Sequence, residues 1–80
     1  MSESKIERLV SMVNQIALNM SANGSDKMVA DQVAQHLEKF WSLPMKNLIT
    51  EQPVDTDIGL TAIGQLAVQQ LLAIQQAKRT

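Results

Sequence analysis

Eighty residues with 45% apolar side chains, 19% charged side chains and a formal charge of −1 describe one globular domain and exclude the disordered regime of low hydrophobicity and high net charge. The seven basic residues, Lys5, Arg8, Lys27, Lys39, Lys46, Lys78 and Arg79, are scattered along the chain rather than massed in one stripe, so nucleic acid is not an expected partner. The absence of cysteine excludes a disulfide framework, a thiolate nucleophile and a cysteine-type zinc site, and agrees with a reducing compartment.

The opening Met-Ser-Glu-Ser-Lys lacks the apolar core of a signal peptide, and the longest apolar run, Leu71-Leu72-Ala73-Ile74, is far short of a membrane span. A cytoplasmic chain with no membrane contact is expected. Ile6, Leu9, Val10, Val13, Ile16, Ala17 and Met20 then recur at spacings of three and four, which sets them on one stripe of an α-helix. Ser4 with Glu7 matches a capping box, and Asn23-Gly24 supplies a left-handed stop, so helix one is predicted over residues 5 to 22.

Ser25 and Asp26 can open a second helix over residues 26 to 42, with Val29, Val33, Leu37 and Phe40 on one face and Ala30, Ala34 and Trp41 extending it sideways. The combined arc, about 140° wide, is more than one neighbouring helix needs and suits contact with two surfaces. Pro44 biases Leu43 away from helical dihedrals and is read as the stop. Residues 43 to 57 form a connector punctuated by Pro44 and Pro53, with a single helical turn carrying Met45, Leu48 and Ile49. Asp55, Thr56, Asp57 and Thr61 are candidate caps for a third helix over residues 61 to 78. Its inner face is expected to carry Ile63, Leu66, Ala67, Gln70, Ile74 and Ala77, beside a second apolar strip of Val68, Leu71 and Leu72. Gly64 weakens its first turn by about 1 kcal/mol relative to alanine unless it permits a close helix contact. The expected fold is all-α: a small three-helix bundle with a partly structured connector between helices two and three.

No constellation for chemistry stands out. General acid–base catalysis wants a histidine or paired carboxylates in a water-poor pocket, and nucleophilic catalysis wants an activated serine, cysteine or lysine beside a base. The single histidine, His36, lies at the edge of the apolar arc of helix two and has no second ligand or orienting partner in view, which favours a hydrogen-bonded structural imidazole. Asp55 and Asp57 lack the companion ligands of a calcium loop, and no glycine-rich turn exists to hold a nucleotide. The chain is therefore expected to hold no cofactor or metal and to have no catalytic residue. The residues that invite a binding role are Asn14 and Gln15 in the middle of helix one, then His36, Phe40, Trp41 and Met45. Tryptophan is enriched at interface hot spots, and Trp41 suits a core or an interface equally in so small a domain.

Arg8-Leu9-Val10 with Met12, Asn14-Gln15-Ile16-Ala17, and Val33-Ala34-x-His36-Leu37-x-x-Phe40-Trp41 with Met45 together resemble the delta subunit family of the NAD-dependent, molybdenum-containing formate dehydrogenase. The likeness covers about residues 8 to 49 and, more loosely, Leu60, Ala67, Val68 and Leu71. That family usually continues Phe-Trp with Asp-Pro-Arg-Met, whereas here Ser42-Leu43-Pro44-Met45 follow, so an acidic and a basic side chain are replaced and any contact they make in relatives becomes apolar through Leu43. The resemblance implies an accessory subunit or assembly and stability factor that docks on the large catalytic subunit of a formate dehydrogenase. It implies molybdenum pterin, iron–sulfur clusters and flavin in that partner enzyme only. The alternative is a self-associating module that buries the Val68, Leu71, Leu72 strip in a homodimer.

Overall fold

In the computed structural model, which describes residues 4–52 and 57–78, four α-helices and one short 3-10 turn make up the regular structure of the described residues. Helix α1 spans Lys5–Met20, α2 Asp26–Phe40, α3 Leu43–Thr50 and α4 Ala62–Lys78, with the 3-10 turn Ser21–Asn23 between α1 and α2. The all-helical class is as expected. The three expected helices correspond to α1, α2 and α4, and the fourth, α3, occupies the first part of the expected connector. Pro53, Asp55 and Thr56 lie outside the described residues.

Local chemistry explains each start. Ser4 Oγ accepts from the Glu7 amide at 3.2 Å, and its hydroxyl donates to the Glu7 carboxylate at 3.0 Å, so the box closes through side chains at one corner. Ser25 Oγ accepts from the Met28 amide at 3.3 Å to open α2. Gly24, with φ +151°, supplies the turn before it in a region that favours glycine. Thr61 Oγ1 accepts from the Gly64 amide at 3.1 Å and caps α4, whereas Asp57 closes a tight turn instead, accepting from the Gly59 amide at 2.9 Å.

The expected stop at Pro44 proves to be a start. Helix α2 ends at Phe40, two residues earlier than predicted, because Trp41 takes an extended conformation (φ −84°, ψ 144°). Ser42 then caps α3 through the Met45 amide at 3.4 Å, and Pro44 falls in its first turn. Amides of a first helical turn have no intrahelical acceptor, so a residue without one loses nothing there.

The core is a single cluster to which every helix contributes. Leu9, Val10, Val13 and Ala17 enter from α1; Val29, Ala30, Val33, Ala34 and Leu37 from α2; Ile49 from α3; and Ala67 and Leu71 from α4. The α1 stripe is thus the predicted one, with Ile6, Ile16 and Met20 half-buried at its margins. Helix α2 packs most extensively on α4 and also on α1, which accounts for its wide arc. On α4 the buried line is Gly64, Ala67, Leu71 and Gln75, rotated from the expected face. Leu66 and Ala77 are exposed, and Ile63, Gln70 and Ile74 flank the core. Two residues that apolar periodicity does not count cause the rotation. Gly64 admits α1 closely, and Gln75, 7% exposed, donates to Asn47 Oδ1 of α3 at 3.1 Å, which removes the penalty of burying an amide.

A mixed ion cluster ties three helices together at one end. Glu38 of α2 pairs with Lys46 of α3 at 3.2 Å and with Lys78 of α4. Lys46 also donates to the Glu38 carbonyl at 3.2 Å. Because the Glu38 and Lys46 side chains are only 15% and 12% exposed, their desolvation offsets much of the attraction. The pairing therefore serves mainly to locate α3 and the end of α4 against α2.

Two consequences are measurable. A Cβ on Gly64 would lie 3.0 Å from Asn14 Oδ1 and 3.2 Å from Thr61 Oγ1, and hydrogen bonds hold both atoms in place. Gly64→Ala is expected to destabilise by about 1–3 kcal/mol despite alanine's better helix propensity, lowering the melting temperature by several degrees in thermal denaturation. Second, the Lys78 hydrogen bond, with help from Lys46, holds the Glu38 carboxyl below the ordinary glutamate range against the opposing effect of burial. A lowered folded-state pKa contributes stability that is complete above the unfolded value and is lost as pH falls through the folded one. Urea denaturation at about pH 7 and about pH 3 should show a smaller acid-induced loss in Glu38→Gln than in the wild type.

Candidate docking surface

The corner between α2 and α3 separates two adjacent aromatics. Trp41 is 8% exposed and belongs to the core cluster, while Phe40 is 66% exposed. The extended backbone at Trp41 turns the chain so that the indole enters the core as Phe40 and Leu43, 59% exposed, stay outside. Burying an indole here gives the corner a fixed anchor, and the two outward side chains are held relative to it.

Phe40, although exposed, has two neighbours at its ring. The His36 ring lies one turn earlier with its centroid 4.8 Å away and tilted by 45°, and Lys39 Nζ sits 5.7 Å from the ring centre. These contacts are of the aromatic and cation–π kind. His36, half-buried at the edge of the apolar arc, packs against an exposed ring. Gln32, one turn before it, is engaged elsewhere and accepts from Asn23 Nδ2 at 3.2 Å. Met45 is half-buried, packing on the core from the first turn of α3.

Asn14 and Gln15 stand apart from this corner. Asn14 Nδ2 donates to the Gly59 carbonyl at 2.9 Å, and its Oδ1 accepts from the Thr61 amide at 3.0 Å. One amide thereby latches the segment before α4 onto the middle of α1. Gln15 is exposed and donates to Asn19 Oδ1 at 3.2 Å on its own helix. Of the six candidate binding residues, His36, Phe40 and Met45 gather about the corner, Trp41 lies beneath it, Asn14 is committed to the fold and Gln15 faces solvent away from it. Leu43, outside those six but marked in the sequence by the replaced acidic and basic positions, is the further exposed apolar residue at the corner.

Elsewhere, a shallow cleft of about 270 Å³ opens between α1 and the start of α4, lined in part by Ala17, Leu18, Ala62 and Ile63. Its polar members include Asn14, already hydrogen-bonded, and Asp26 at the start of α2, so the cleft pairs no acid with a base. The second strip of α4 is mostly taken up by packing: Leu71 is fully buried, and Val68 and Leu72 are half-buried. Among the described residues no three His, Cys, Asp or Glu side chains come together as a metal site, and no helix is long and apolar enough to cross a membrane.

No curated protein and no solved structure matches the chain. A family model described as the NADH-dependent formate dehydrogenase delta subunit FdsD matches residues 8–68, a span running from α1 across the α2–α3 corner into α4. The chain belongs to the NADH-dependent formate dehydrogenase delta subunit family.

Proposed function

We propose that the chain is an accessory subunit, or an assembly and stability factor, that docks on the large catalytic subunit of a formate dehydrogenase in the cytoplasm. It performs no chemistry and holds no cofactor itself; molybdenum pterin, iron–sulfur clusters and flavin belong to the partner enzyme. The observation that carries this reading is Phe40, a large aromatic side chain 66% exposed at the α2–α3 corner, where Leu43 is also exposed, in a chain of the delta subunit family. A protein this small has few aromatic groups to bury, and leaving its one phenylalanine in solvent forgoes about 1.5–3 kcal/mol of burial. Seating it in a partner recovers that energy. The ring already packs on His36 and lies near Lys39, contacts that restrict its rotamers and reduce the conformational entropy lost on docking. Met45 and Leu43 extend the contact, and Trp41 acts from inside by holding the corner. The Val68, Leu71, Leu72 strip has little surface to offer a second copy, with Leu71 wholly inside the fold.

Co-purification of the large subunit with variants separates these roles. Phe40→Ala is expected to fold with near wild-type stability and to lose about 2 kcal/mol or more of binding, roughly a 30-fold weaker Kd. Trp41→Ala is expected to lose about 3–5 kcal/mol of stability, with weaker capture following from the disordered corner. Undiminished capture by Phe40→Ala would sink the assignment of the docking surface.

A further inference from the structure

We infer that the end of the bundle bearing Phe40 and Leu43 meets a protein surface whose apolar pocket is rimmed by carboxylates. The inference rests on the docking role proposed above and specifies the chemistry of the receiving surface. Its basis is the way the fold sorts charge. The short Ser21–Ser25 connection reverses the chain between α1 and α2, and the Glu38–Lys78 pair places the ends of α2 and α4 side by side. The start of α1, the end of α2, all of α3 and the end of α4 therefore share one end of the molecule.

Cations scattered in the sequence gather there. Among the described residues, this end has Lys5, Arg8, Lys39, Lys46 and Lys78 against Glu7, Glu38 and Glu51. The start of α2, at the other end, has Lys27 against Asp26 and Asp31. Glu38 engages Lys46 and Lys78, whereas Lys5, Arg8 and Lys39, and on the acidic side Glu7 and Glu51, are exposed and form no ion pair among the described residues. Lys39 is the informative one. Its ammonium lies 5.7 Å from the centre of the Phe40 ring, so a pocket that receives the ring necessarily brings its own rim to that charge. A basic rim would repel it and a purely apolar one would strip its water without compensation, while a carboxylate rim matches it and steers approach. An anionic lipid surface is a poorer fit. Polybasic membrane contacts use clusters of about four to eight cations, more than the three free ones here, and Phe40 and Leu43 project from a corner suited to a pocket.

The test measures association of the full chain with the isolated large catalytic subunit by surface plasmon resonance at low and high salt. Wild-type chain is compared with a Lys5→Glu/Arg8→Glu/Lys39→Gln variant and with Lys27→Glu, each checked for folding by circular dichroism; Lys39→Gln alone serves if the triple variant is unfolded. The wild-type association rate is expected to fall about tenfold between about 50 and 500 mM salt. The triple variant should start about tenfold slower at low salt and lose most of that dependence, while Lys27→Glu keeps both. Salt-independent association at the wild-type rate in the triple variant overturns the carboxylate rim and leaves docking intact. An equal loss in Lys27→Glu overturns the assignment to this end. Failure of the wild type to bind overturns the docking role and this inference with it, and capture by phosphatidylglycerol vesicles in its place assigns the end to a lipid surface.

Discussion

Burial of the Trp41 indole is the constraint on which the corner depends. In a continuous helix Phe40 and Trp41 would lie about 100° apart, and the helix end that falls between them sends the indole into the core while the phenyl ring stays outside. Trp41 takes extended backbone, its amide still donates to the Leu37 carbonyl at 2.9 Å, and Ser42 restarts helical structure one residue later. The position of α3 follows from this, because a helix that begins at a fixed corner and is tied by Lys46 to Glu38 and by Asn47 to Gln75 has no other place to lie.

The elements that could be read from the sequence were those whose determinants are local. The α1 stripe and its serine cap lie within a few residues of each other, and so do the cap and apolar face of α2. Pro44 signals both the end of one helix and the first turn of the next, so the sequence supports a single helical turn at Met45, Leu48 and Ile49 where the full α3 runs, and only the serine two residues before the proline distinguishes the two. The inward face of α4 was misjudged because a glycine and a glutamine line it, and neither registers as apolar. At the candidate site, periodicity picked out Phe40 and Trp41 as a pair. It could not say which was inside, since the answer turns on a helix end falling between them. The part played by Asn14 was hidden for a simpler reason: its partners, Gly59 and Thr61, lie more than forty residues away in sequence.

The departure from the usual pattern of relatives after Phe-Trp has a physical reading at this corner. Serine and aspartate are both good caps, and Ser42 accepts the amide of Met45 to begin α3 without adding a charge. Moving proline one place along is also neutral, because either of the first helical positions tolerates it. The change that remains is on the outside, where Leu43 adds apolar surface next to Phe40.

The pairing of α2 with α4 also bears on the order in which the chain can fold. Most of the apolar arc of α2 is covered by α4, which follows it only after α3 and the loop beyond. A chain emerging from the ribosome can close the α1–α2 hairpin early, since that connection is short, but Val29, Val33 and Leu37 stay partly uncovered until α4 has been made. The Asn14 latch joins α1 to Thr61, the residue that caps α4, and so fixes where that helix begins. The apolar arc of α2 is thus covered only once α4 has been made, and a chain interrupted before α4 presents an adhesive hydrophobic helix.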